Sequence, residues 1–389
     1  MQHRTDHASW VFPPELALAY KLSTANRRRL LVTLAGASLS VSLIVYQLFL
    51  IVGFIGSATA MIRSTNADLW VLAHQAQAFD FSAPLRRDHA FGVAGIAGVA
   101  EAAPVATGFA GAVDARGLPA VVALAGLPVE RFALKSGKGP EVVPVALRSD
   151  SFAFIDRTAL AQFGVDDVPF DLEISGQRVR IANVMEGYAT FLGSPFLVTS
   201  TSNAQRWLRL PADVCTGIAV WLRAGASLDG TREAIARAYP ELTVLTAREY
   251  ARRSAIFWLL KTGAGGGLLL TAVLGFGIGL LIISQNLYAA VLESLEQYTT
   301  LRAMGIEQRT LQWVVIAQAT AIALCAGVVG SALAYLFGAL TKAFVLGWIA
   351  EPLAVPIAVI GACAFMGLAS SVSAIRLIHR LEPAHALRQ

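Results

Sequence analysis

The chain has 389 residues, of which 56% are hydrophobic and only 15% charged, against about a quarter charged in an ordinary soluble domain. A sizeable part of it must therefore sit in lipid: long stretches carry no charge, while the residues between Ile62 and Arg253 have the make-up of a soluble protein. The formal net charge is +5 and its basic residues gather at the ends of apolar runs, without the aromatic-interleaved basic stripe or binding motif that would point to nucleic acid.

In chain order, residues 1–29 read as a cytoplasmic N-terminal segment. Pro13-Pro14-Glu15 opens a stretch with Leu16, Ala19 and Tyr20 on one side, ending in Arg27-Arg28-Arg29; this describes an amphipathic interfacial helix leading into the membrane. Residues 30–55 hold no charge and exceed the roughly 20 apolar residues needed to span a bilayer. Ala58-Thr59-Ala60 imitates a signal-peptidase site, but the apolar run is far longer than a signal h-region, so span one is read as a retained anchor.

Residues 56–255 read as an α+β domain. Asp171–Ile174 and Arg178–Ile181 alternate around Ser175-Gly176-Gln177, a hairpin signal. Phe196–Thr199 leads into a short helix, and the order strand 217–222, helix 231–239, strand 242–245 fits half of a ferredoxin-like unit. Cys215 is the single cysteine of this region; it and Cys325 and Cys363 in the apolar runs read as small buried hydrophobes.

Span two is expected over 256–286, span three over 311–340 and span four over 353–377, with a short loop at 341–352 and a tail at 378–389. The segments before span one, between spans two and three, and after span four are richest in Lys and Arg, whereas the 341–352 loop has Lys342 set against Glu351. The positive-inside rule places both termini and the 287–310 segment in the cytoplasm and the 56–255 domain outside it. The expected class is thus a membrane α-helical protein with four spans, both ends inside, and an α+β extracytoplasmic domain between the first two.

The 287–310 segment is longer than a hairpin between spans requires. Val291, Leu295, Tyr298 and Arg302 share one helical face, Glu293, Glu296 and Gln297 occupy the other, and Met304-Gly305 ends the pattern. An apolar-aromatic stripe with no lipid to cover it calls for a protein partner. Span two carries Gly263/Gly267 and Gly275/Gly279, two G-x-x-x-G pairs that permit close helix packing. The chain holds no phosphate-binding G-x-x-x-x-G-K-[ST] loop, no H-E-x-x-H and no G-x-S-x-G.

The run Glu296-Gln297-Tyr298-Thr299-Thr300-Leu301-Arg302-Ala303-Met304-Gly305 resembles the signature of FtsX-like permeases of the MacB and FtsX superfamily. Ser284–Tyr288, Asn66-Ala67-Asp68-Leu69-Trp70 and Leu381–Leu387 are similar to its DevC branch. The resemblance implies a non-enzymatic permease subunit of the bacterial inner membrane with its large domain in the periplasm. It binds no cofactor itself; ATP and Mg belong to a separate ABC ATP-binding subunit in a 2:2 complex. Val291, Leu295, Glu296, Tyr298, Leu301, Arg302, Met304 and Gly305 would couple to that subunit, and the glycine pairs of span two would pack a homodimer. A membrane-fusion adaptor, a TolC-like outer-membrane channel and an amphipathic cargo complete the expectation. The alternative is an FtsX-like signal transducer that activates a cell-wall hydrolase, and membrane lipid is a partner in either case.

Overall fold

The computed structural model describes residues 27–114, 116–128, 131, 134–136, 139–142, 151–188, 194–293, 300, 304–344 and 349–379. They fall into two compact units, one holding the chain up to Leu50, Leu269–Leu340 and the chain from Glu351, the other Ile51–Leu268 and Thr341–Ala350.

The first unit is built from most of four helices, α1 (Arg27–Ser64), α6 (Gly263–Glu293), α7 (Gln308–Phe344) and α8 (Ala354–His379), of which α1, α6 and α7 run on into the second unit; α2 to α5 belong to the second unit. Uncharged runs of Leu, Val, Ile and Ala make the middle of these helices, and their charged residues, such as Arg63 of α1, Glu293 of α6 and Arg309 and Lys342 of α7, stand near the ends. Among the described residues, three stretches are long and apolar enough to cross a membrane: Leu30–Ser64, Gly263–Ile282 and Gln308–Lys342; α8 contributes a shorter apolar stretch, Ala354–Leu368. With 38 residues, α1 is about 57 Å long, well beyond a hydrocarbon core of about 30 Å.

Small residues let α1, α7 and α8 approach closely. A Cβ on Gly330 of α7 would stand 2.6 Å from the Ser38 carbonyl and 2.8 Å from Val41 of α1, and one on Gly367 of α8 would stand 2.9 Å from the Thr320 backbone of α7. Phe49 and Tyr335 fill the space beside the first contact, their rings 5.1 Å apart.

In the second unit, nine strands form one sheet: β1 (Leu69–Ala73), β2 (Val99–Val113), β3 (Pro119–Leu127), β4 (Phe152–Asp156), β5 (Phe170–Ile174), β6 (Gln177–Met185), β7 (Phe196–Ser200), β8 (Gly217–Leu222) and β9 (Leu242–Thr246). The spatial order is β9-β1-β8-β2-β3-β7-β4-β6-β5. Its first four strands, with α2 (His89–Ala94) after β1 and α4 (Leu228–Ala238) after β8, make a complete split β-α-β, ferredoxin-like layer. The sequence showed only its second half, because α2 has six residues and too little periodicity to be seen.

Everything between β2 and β8 is an insertion. It includes the 171–181 hairpin, which pairs as expected with Leu172 opposite Val179. The C-terminal half of β2 pairs with β3, and its end pairs again with β5 at Ala112↔Ile174, so six strands close into a small barrel. Leu124, Ile155, Ile174, Ile181, Leu197 and Trp207, all fully buried, fill it. The short helix α3 (Thr201–Trp207), capped by Ser200 Oγ, lies on β3 and requires Gly126, where a Cβ would overlap Ala204.

Candidate functional site: the junction of the α+β domain with its helices

The Asn66–Trp70 run acquires a physical role. Asn66 takes a left-handed φ of 49° that turns the chain out of α1, a conformation Asn tolerates better than most residues. Asp68 accepts from the Leu222 backbone N–H at 2.8 Å, and its carbonyl accepts from Ala247 N–H at 3.2 Å. Trp221 donates its indole N–H to the Thr65 carbonyl at 3.2 Å, closing the end of α1. Trp70 is then buried against Phe79 and Tyr250, at ring distances of 6.1 and 5.3 Å.

The second attachment runs through α5 (Ala247–Ile256), which starts on a capping box of Thr246 and Glu249. It passes directly into a π-helical turn, Phe257–Lys261, before extended backbone at Thr262 starts α6. Such turns are rare, and many mark functional sites. Thr262 Oγ1 donates to the Trp258 carbonyl at 2.5 Å and accepts from Gly265 N–H at 3.2 Å. Gly265 is obligatory there, since a Cβ would overlap the Trp258 carbonyl. The two attachments meet: Ser254 Oγ donates to the Ala58 carbonyl at 3.1 Å, and Trp258 stands edge-on to Phe54 at 6.4 Å.

Into this meeting point the loop after β1 inserts Phe79-Asp80-Phe81. Phe81 packs on Phe257 and Trp258 at 5.5 and 5.4 Å. Thr107 Oγ1 donates to the Phe79 carbonyl at 2.9 Å, and Thr107 N–H donates to Thr216 Oγ1 at 2.8 Å, tying the loop to β2 and the start of β8. Asp80 is buried, with no hydrogen-bond partner for its Oδ1 among the described residues. Burial pushes its carboxyl up to about 7, an effect the Trp258 side chain offsets only in part. Desolvation likewise raises the phenol of the fully buried Tyr250, and the Asp80 charge adds to the rise. An acid between two phenylalanines was visible in the sequence; its burial was not.

Of the expected coupling residues, Leu295, Glu296, Tyr298, Leu301 and Arg302 lie outside the described residues, and Val291 falls in the last turn of α6. Met304 is 75% exposed, and Gly305 turns with φ of 92° three residues before α7 begins. Of the span-two glycines, Gly279 packs on α1, where a Cβ would meet Ile44 at 3.0 Å, while positions 263, 267 and 275 face open space. Only 11% of the apolar stretch of α6 is buried, against 44% for α1 and α7; one copy of the chain leaves most of this helix uncovered.

The described helices that are apolar enough to span a membrane are thus joined at two points to the α+β domain inserted between the first two of them. Residues 269–383, the C-terminal membrane region, match the family model "FtsX-like permease C-terminal". Uncharacterized ABC transporter permeases of two Mycobacterium tuberculosis strains are 32% identical over 117 residues, which is 30% of this chain and 32% of the relative. The chain thus spans about a third of the length of the curated relatives it matches. Among solved structures, the periplasmic region of MacB from Actinobacillus actinomycetemcomitans covers 49% of this chain at 11% identity, with 94% of that chain matched and a TM-score of 0.38. The extracellular domain of the transporter YknZ from Gram-positive bacteria covers 46% at 12% identity, with 98% of that chain matched and a TM-score of 0.33.

Proposed function

We propose that the protein is the permease subunit of an ABC-type exporter of the MacB and DevC kind, working as a homodimer with two copies of a separate ATP-binding subunit. The observation that carries this reading is the FtsX-like match over residues 269–383, which includes most of α6, a helix that follows directly on the π-turn where Phe81 of the α+β domain packs against Phe257 and Trp258. Four spans with both termini in the cytoplasm of a bacterial inner membrane put the 287–310 segment beside the ATPase and the 56–255 domain in the periplasm. ATP-driven closure of the ATPase pair draws two copies of this segment together. The paired attachments of α1 and α6 carry the motion to the outer domain, which acts on an amphipathic cargo through an adaptor and an outer-membrane channel. The open faces at Gly263, Gly267 and Gly275 suit a second copy packed through α6.

The test is reconstitution with the cognate ATPase. A stable 2:2 complex is expected, and Tyr298→Asp or Leu295→Asp should abolish stimulated ATP turnover while leaving the helical content intact. Full turnover in those variants would refute the coupling role. Stimulation by a cell-wall hydrolase in place of an adaptor would favour signal transduction over export.

A further inference from the structure

A cleft of about 510 Å³ opens between the end of β1 and the α5–π-turn segment, with His74, Glu249, Arg252, Arg253, Ile256, Phe257 and Lys261 in its lining. Its charge is one-sided. Arg252, Arg253 and Lys261 bring three basic side chains to it. The single carboxylate, Glu249, is already engaged: the Thr246 backbone N–H, with Arg232, holds it below the usual carboxylate range, and Arg232 sits 3.0 Å away. Arg253 spends one N–H on the His74 carbonyl at 3.3 Å, and His74 Nδ1 pairs with Thr243 Oγ1 at 2.6 Å, which stiffens that wall. The other wall is apolar, formed by Ile256, 42% exposed, and Phe257. Lys261 lies two residues before Gly263, where the uncharged stretch that ends at Ile282 begins.

Two guanidinium groups and an ammonium facing one space suit a phosphate-bearing anion, since guanidinium pairs with phosphate through parallel N–H bonds. A free ion would not need the apolar wall, and a cleft that opens where a membrane helix begins meets headgroups before it meets bulk solutes. We propose that this cleft binds the headgroup of an anionic phospholipid, with the first carbons of its chains along Ile256 and Phe257. A lipid held there sits on the π-turn that joins the outer domain to α6. The inference rests on the membrane reading of residues 263–282 and is independent of ATPase coupling.

The experiment uses the full chain, purified in detergent and offered equal amounts of phosphatidylglycerol and phosphatidylcholine, with retained lipid counted by native mass spectrometry. Wild type should retain phosphatidylglycerol about tenfold over phosphatidylcholine, and the double variant Arg252→Gln, Lys261→Gln should reduce that preference to within about twofold. Lys261→Arg should keep it, as should Arg237→Gln on α4, a control for general charge loss. Equal retention by wild type and double variant would overturn the proposal. Displacement of the lipid by millimolar inorganic phosphate would also overturn it, showing a site for the free ion. A reconstituted complex that keeps the lipid preference but lacks stimulated ATP turnover would count against the coupling reading alone.

Discussion

Replacing Asp80 with asparagine tests the junction most directly, because the change keeps shape and removes only the charge. In the folded chain the carboxyl titrates near 7, against 3.8 when solvated. The raised value means that the folded state holds a proton the unfolded state releases. The stability from this group is therefore complete below pH 3.8, declines as pH rises, and is gone above about 7. At about 1.4 kcal/mol per pH unit, the interval amounts to about 4 kcal/mol. Asp80→Asn should accordingly match wild type near pH 4 and exceed it by about 2–4 kcal/mol at pH 8. Urea titrations of the full chain in detergent, followed by tryptophan fluorescence at several pH values, measure both slopes, and the difference between them removes the contribution of other titrating groups. Parallel slopes for the two proteins would refute the buried-acid argument, as would a loss of stability in Asp80→Asn at pH 8.

Two further outcomes follow from packing. Gly265→Ala should destabilise the junction by at least about 1–3 kcal/mol, because its Cβ overlaps the Trp258 carbonyl, whereas Gly267→Ala, which faces open space, should leave the folded monomer unchanged and weaken only the proposed dimer. Melting temperature and size-exclusion profiles separate the two effects, and equal melting temperatures for both variants would sink the first claim. Burial pushes the Cys215 thiol up to about 11, so at pH 8 roughly a thousandth is thiolate. In a Cys325→Ser, Cys363→Ser background, maleimide should label the protein only after unfolding; native labelling within minutes would contradict the burial.

Much of the secondary structure was legible because it rests on local rules. The 171–181 hairpin and the 217–245 strand-helix-strand order are written in alternation and turn residues, and both recur in the sheet. The closure of the barrel was not legible. It depends on Ala112 meeting Ile174, a contact between residues 62 apart that no window of sequence periodicity samples. The junction stayed hidden for the same reason: Phe79-Asp80-Phe81, Trp258 and Phe54 come from three separate segments, and nothing near any one of them announces the others.

What the amino-acid sequence determined alone is the partition between apolar helices and a domain of soluble composition, together with the family resemblance around residues 296–305, since hydropathy and motif are properties of neighbouring residues. Tertiary structure alone decided that the ferredoxin-like layer is complete and that it carries an inserted barrel. It also decided that the domain is fastened to the helices around a buried acid and a π-turn. Burial and the titration it shifts arise from atoms brought together across the fold, and they exist only once the chain has closed around them.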